Sequence, residues 1–102
     1  MGENGMYRIL VCDDERDIVS ALRIYLTAEG YEVIEAYNGS EMLRLAATQE
    51  VHLILLDVMM GEISGFRMAQ MLKTNPETAN IPVIFCTARD NEDDTVAGLN
   101  LG

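Results

Sequence analysis

Apolar and polar positions along this chain fall into blocks with two different periods. Tyr7-Arg8-Ile9-Leu10-Val11-Cys12 is a short apolar run that ends at acids and predicts a buried strand. Beyond it, Ile18, Ala21, Leu22, Tyr25 and Leu26 lie three and four residues apart, the spacing of one helix face. Glu29-Gly30 ends that helix, because glycine fits the left-handed position after a last turn. Tyr31 to Ala36 predicts a second strand. Asn38-Gly39-Ser40 predicts a turn that caps a second helix, with Met42, Leu43, Leu45 and Ala46 inward. His52 to Asp57 is the most apolar strand, and it also ends at an acid. Gly61 to Gly65 predicts a loop. Phe66 to Thr74 predicts a third helix with Phe66, Ala69 and Leu72 on its buried side, broken at Asn75-Pro76. Pro82 to Thr87 predicts a fourth strand, and Asp90 to Leu101 a fourth helix with Val96, Ala97 and Leu99 inward.

Strands that alternate with helices of about three turns predict an α/β fold, a doubly wound parallel sheet covered on both faces. Right-handed crossovers leave few topologies, and ligands in such folds sit at the carboxyl ends of the strands. With 102 residues there is room for one domain, expected over 6–102, after a polar, Gly-rich tail or expression remnant at 1–5.

Charge narrows the function. Seventeen acidic side chains face seven basic ones, a net charge of -10. That balance disfavours nucleic acid and anionic membranes and favours divalent cations wherever carboxylates converge. The apolar runs are far too short to span a bilayer. Cys12 and Cys86 each end an apolar run and read as small buried residues, with no zinc or redox spacing. With no signal peptide evident, a reducing cytoplasm is the expected location. His52 has no second histidine near it in sequence, which argues against a ligand role.

The candidate chemistry lies at the strand ends. The first strand runs into Asp13-Asp14-Glu15, the third ends in Asp57, and the fourth ends in Thr87-Ala88. If those strands are neighbours, three carboxylates converge and need a cation or a proton to coexist. Oxygen ligands without His or Cys suit Mg²⁺, with Mn²⁺ as a substitute. A carboxylate beside such an ion can hold it or attack phosphorus. The Thr87 hydroxyl could bond a phosphoryl oxygen, and Ala88 leaves space for the group. Taken singly, Asp13 or Asp14 reads as a helix cap, Asp57 as a loop acid and Thr87 as an ordinary strand-end hydroxyl. Their joint placement carries the functional reading.

These residues resemble the response-regulator receiver family. The resemblance rests on Ile9-Leu10-Val11-Cys12-Asp13-Asp14-Glu15, on Leu55-Leu56-Asp57-Val58-Met59-Met60 with Ser64-Gly65, and on Ile81-Pro82-Val83-Ile84-Phe85-Cys86-Thr87-Ala88. It implies a flavodoxin-like sheet in the order 2-1-3-4 with helices on both faces. It implies Asp57 as phosphoacceptor, Asp14 as direct Mg²⁺ ligand, Asp13 as a ligand through water, and the Met59 carbonyl as third protein ligand. Thr87 is then the switch hydroxyl. The implied phosphodonor is a sensor histidine kinase, and the implied output is a downstream effector domain, DNA-binding in many relatives.

Two departures from the family pattern stand out. Gly61 replaces a usual proline after Met60. After Gly102 the family continues into a fifth strand ending in Lys-Pro and a fifth helix, so an open fourth-strand edge and self-association through it or the fourth helix are expected. The competing reading is a phosphorylation-incompetent receiver that acts as a protein–protein interaction module. A Mg²⁺-dependent phosphatase is disfavoured because Met59 stands where such an enzyme needs a second acid, so no turnover beyond self-phosphorylation and autodephosphorylation is expected.

Overall fold

The structure, a computed structural model, describes residues 6–58 and 64–86. Met59, Thr87, Ala88, the tail at 1–5 and the helix expected at 90–101 lie outside the described residues.

Four strands form one parallel sheet: β1 (Arg8–Cys12), β2 (Glu32–Ala36), β3 (Leu53–Asp57) and β4 (Val83–Cys86). Their order is β2-β1-β3-β4, as expected from the family resemblance. The helices α1 (Arg16–Ala28), α2 (Gly39–Thr48) and α3 (Gly65–Thr74) connect them. β1 is flanked on both sides, and its residues from Ile9 to Cys12 are all buried.

Side chains alternate across a strand, so each strand feeds two cores. Leu10, Cys12, Ile54 and Leu56 enter the core shared with α2 and α3, where Met42, Leu45, Met68 and Leu72 meet them. Ile9 and Val11 face the other way, toward Val19 and Leu26 of α1, with Leu53 and Leu55 at the margin. The two-faced burial is what a parallel sheet requires, since both faces carry apolar residues.

Two helix faces differ from the sequence expectation. In α1 the buried positions are Val19 and Leu26, with Leu22 packed beside them, while Ala21 is exposed and Tyr25 is 62% exposed. The 19, 22, 26 stripe is also helical, and nearly every position from Ile18 to Leu26 that is not charged is apolar, so spacing alone cannot choose between stripes. In α3 the buried side chains are Met68 and Leu72, whereas Phe66 is 46% exposed and tilts against Phe85 at 4.6 Å between ring centroids. α3 also starts at Gly65, one residue earlier than expected, because the Ser64 side chain accepts the Arg67 amide hydrogen as its cap.

Elsewhere the local signals operate as read. Asn38 caps α2 by accepting from the Glu41 amide at 2.8 Å, and Gly30 follows α1 with φ of 94°. His52 is structural: its Nδ1 accepts the Arg8 amide hydrogen at 2.9 Å, and its ring meets Tyr7 edge-on. Thr78 closes the segment after α3. Its buried hydroxyl donates to the Leu72 carbonyl at 2.6 Å, which satisfies one of the orphan carbonyls of the last turn.

Candidate functional site

The strand register brings the acids together. Cys12 pairs with Leu56 across β1 and β3, so the next residues, Asp13 and Asp57, stand at one edge of the sheet. Each of Asp13, Asp14 and Asp57 offers a carboxylate oxygen, and these atoms lie within 4.8 Å of one another. Asp13 and Asp57 are buried and Asp14 is exposed. The Asp13 carboxyl is pushed up to about 6, first by burial and then by the negative charges of Asp57 and Asp14. The Glu15 amide, which donates to its Oδ1 at 3.0 Å, opposes that rise.

That bond also corrects the expectation that Asp13 or Asp14 caps α1. The N-cap is Glu15, and it makes no side-chain cap bond. The Asp13 carboxylate is turned toward its own loop, bonding two residues on as short acids do in turns. Asp17 supplies the negative charge of the first turn.

Neighbouring segments brace the cluster. The Asp13 amide donates to the Ala36 carbonyl at 3.2 Å, so the end of β2 fixes the first acid. The turn beyond β2 is fixed in its own right, since Glu41 reaches back to accept the Tyr37 amide hydrogen at 2.7 Å. The Arg16 guanidinium sits 4.1 Å from the centre of the Tyr37 ring, which ties the start of α1 to the same turn. On the other side, Asp57 pairs with Cys86 across β3 and β4, and Val58 donates to the Cys86 carbonyl at 3.2 Å. The sheet therefore carries its pairing to the residue that precedes Thr87.

The sequence reading treated Cys86 as a core residue, but it is only half-buried. It lines a cavity of about 290 Å³ together with Val11, Leu22, Leu55, Asp13 and Asp57. Its place beside Asp57 follows from the register alone, a long-range property with no local signal. Burial and the charges of Asp57 and Asp13 push its thiol up, and the same causes push the Cys12 thiol up to about 12. Neither is an activated nucleophile. Of the sequence-predicted site residues, the structure brings together Asp13, Asp14 and Asp57. Met59, Thr87 and Ala88 fall outside the described residues.

Among the described residues the converging donors are carboxylate oxygens, and like-charge crowding makes a positive ion favourable at this edge, so the three acids fit a hard divalent cation. A parallel sheet in this order with acids at its carboxyl edge is the arrangement that the receiver resemblance implies. The chain belongs to the response regulator receiver domain family, whose pattern matches residues 9–102. It is 45% identical over 95 residues to the response regulator PleD of Caulobacter vibrioides, covering 93% of this chain and 21% of PleD. It is 41% identical over 95 residues to the alkaline phosphatase synthesis transcriptional regulatory protein PhoP of Bacillus subtilis, covering 93% of this chain and 39% of PhoP. The chain thus spans well under half of these relatives.

Among solved structures, a receiver from Methanoculleus marisnigri matches with a TM-score of 0.80 at 34% identity, over 91% of this chain and 76% of that one. TrrA of Thermotoga maritima, in complex with Mg²⁺-BeF, matches with a TM-score of 0.74 at 33% identity, over 93% and 83%. TrrA in complex with the histidine kinase ThkA matches with a TM-score of 0.75 at 36% identity, over 84% and 72%. This chain is therefore a receiver domain of two-component signal transduction with an acidic cluster that could bind a metal. No helix among the described residues is long and apolar enough to cross a membrane.

Proposed function

We propose that this domain accepts a phosphoryl group on the Asp57 carboxylate from the phosphohistidine of a sensor histidine kinase, and that the modified surface switches a downstream effector. The observation that carries this reading is the convergence of the Asp13, Asp14 and Asp57 oxygens within 4.8 Å at the carboxyl edge of the sheet. In the reaction an Asp57 oxygen attacks phosphorus, the bond from phosphorus to the donor nitrogen breaks, and the histidine leaves with the electron pair and takes up a proton. Phosphoryl transfer asks mainly for positioning and charge neutralisation, which a fixed strand end and a cation provide.

Asp14, Asp13, Asp57 and the Met59 carbonyl would hold Mg²⁺. The ion supplies neutralisation of phosphoryl oxygens when bound. By the family pattern, Thr87 donates its hydroxyl to the phosphoryl group and Ala88 leaves room for it. Two comparisons support the reading: TrrA has been solved with Mg²⁺-BeF and with a histidine kinase. PhoP, named as a transcriptional regulator, supports an effector domain as the output.

The test is intact-mass spectrometry after incubation with Mg²⁺ and acetyl phosphate, with Asp57→Asn as control. A gain of one phosphoryl group only in the unmutated chain supports an Asp57 acceptor. No gain in folded protein leaves a receiver fold that works as an interaction module.

A further inference from the structure

Gly65 opens α3 directly against the backbone that follows the proposed acceptor. Its amide donates to the Val58 carbonyl at 3.0 Å, which draws the two ends of the intervening segment together. A β-carbon at Gly65 would overlap the Asp57 carbonyl oxygen, and would stand 2.8 Å from the Val58 Cα and 3.0 Å from the Asp57 carbonyl carbon. Backbone freedom is not the reason for glycine here, since Gly30 is the one described glycine with positive φ. Alanine is the better helix former, so the glycine is explained by space rather than by helix propensity.

We infer that Gly65 is a positioning residue: its missing side chain lets α3 seat against the Asp57–Val58 peptide and so sets where the Asp57 carboxylate stands relative to Asp13 and Asp14. The obstruction is backbone, which cannot swing aside. Turning the Asp57 peptide moves the side chain on the same Cα, and the three acids meet only because their oxygens lie within 4.8 Å. Gly39 is the natural contrast. A β-carbon there would overlap the Met68 Cε and stand 2.6 Å from its Sδ, the far end of a flexible side chain that can repack.

The inference rests on the phosphoacceptor reading for its kinetic readout alone. The experiment compares Gly65→Ala, Gly65→Ser and Gly39→Ala with the unmutated chain. It measures Mg²⁺ affinity by calorimetry, the amide shifts of Asp57 and Val58 by NMR, and the rate of phosphoryl uptake from acetyl phosphate. The expected result is that both Gly65 variants fold, move those two amides, weaken Mg²⁺ binding about tenfold or more and slow phosphoryl uptake at least as much. Gly39→Ala should stay within about twofold on both measures.

Gly65 variants that match Gly39→Ala in Mg²⁺ affinity and in the two amide shifts would overturn the inference. So would failure of both Gly65 variants to fold beside a folded Gly39→Ala, because the contact would then serve the fold and not the site. If the unmutated chain takes up no phosphoryl group, the proposed function fails, while Mg²⁺ affinity and the amide shifts still decide the role of Gly65.

Discussion

The carboxylate of Asp13 accepts the Glu15 amide hydrogen at 3.0 Å and has an oxygen within 4.8 Å of an Asp57 oxygen, so one buried acid is held in place by its own loop and repelled by its neighbour. Carboxylates this close repel one another, and the repulsion can be read out in solution through the titration of Asp13.

In the fold the Asp13 carboxyl keeps its proton up to about pH 6, against an ordinary value of 3.8. The folded chain binds more protons between those values, so this group stabilises the fold fully below about pH 4, and that contribution is lost as pH rises through about 6. Urea unfolding of the metal-free chain should show Asp13 contributing about 2–3 kcal/mol less at pH 7 than at pH 4. Asp13→Asn should flatten that part of the profile, and Mg²⁺ should restore stability above pH 6 by binding the folded state. An unchanged profile in Asp13→Asn would show that the pH dependence arises elsewhere.

The α1 stripe gives a paired test. Val19 is fully buried and Tyr25 is 62% exposed. Val19→Ala should cost about 1–3 kcal/mol in denaturant unfolding, by lost burial and the cavity left behind. Tyr25→Ala should stay within about 0.5 kcal/mol. The reverse ranking would mean that α1 presents the face read from the sequence spacing.

Thr78 is buried, and its hydroxyl is bonded to the Leu72 carbonyl. Thr78→Val keeps the shape, removes the donor and leaves that carbonyl with one partner fewer. It should cost about 1–3 kcal/mol by thermal or urea unfolding. A neutral substitution would show that the carbonyl is satisfied without it.

Much of this was legible in local sequence. The strand runs, the Asn38 cap and the Gly30 stop depend on neighbours in the chain, and each holds. The acids at 13, 14 and 57 were legible because a parallel αβ pattern dictates that strand ends share an edge. Other features depend on contacts far apart in sequence. α1 and α3 are apolar around most of their circumference, so only packing could select Val19 over Tyr25 and Met68 over Phe66. The closeness of Cys86 to Asp57 required the β3–β4 register. The need for glycine at 65 required knowing that α3 begins on top of the Asp57–Val58 peptide.

The most direct test of the central claim is to locate the acceptor. The chain would be treated with Mg²⁺ and acetyl phosphate, reduced with borohydride to convert a phosphoaspartate to homoserine, cut after arginine and lysine, and sequenced by mass spectrometry. Homoserine at position 57, in the peptide from Leu45 to Arg67, is the predicted result. Homoserine at Asp13 or Asp14, in the peptide from Ile9 to Arg16, or no conversion in folded protein, would contradict it.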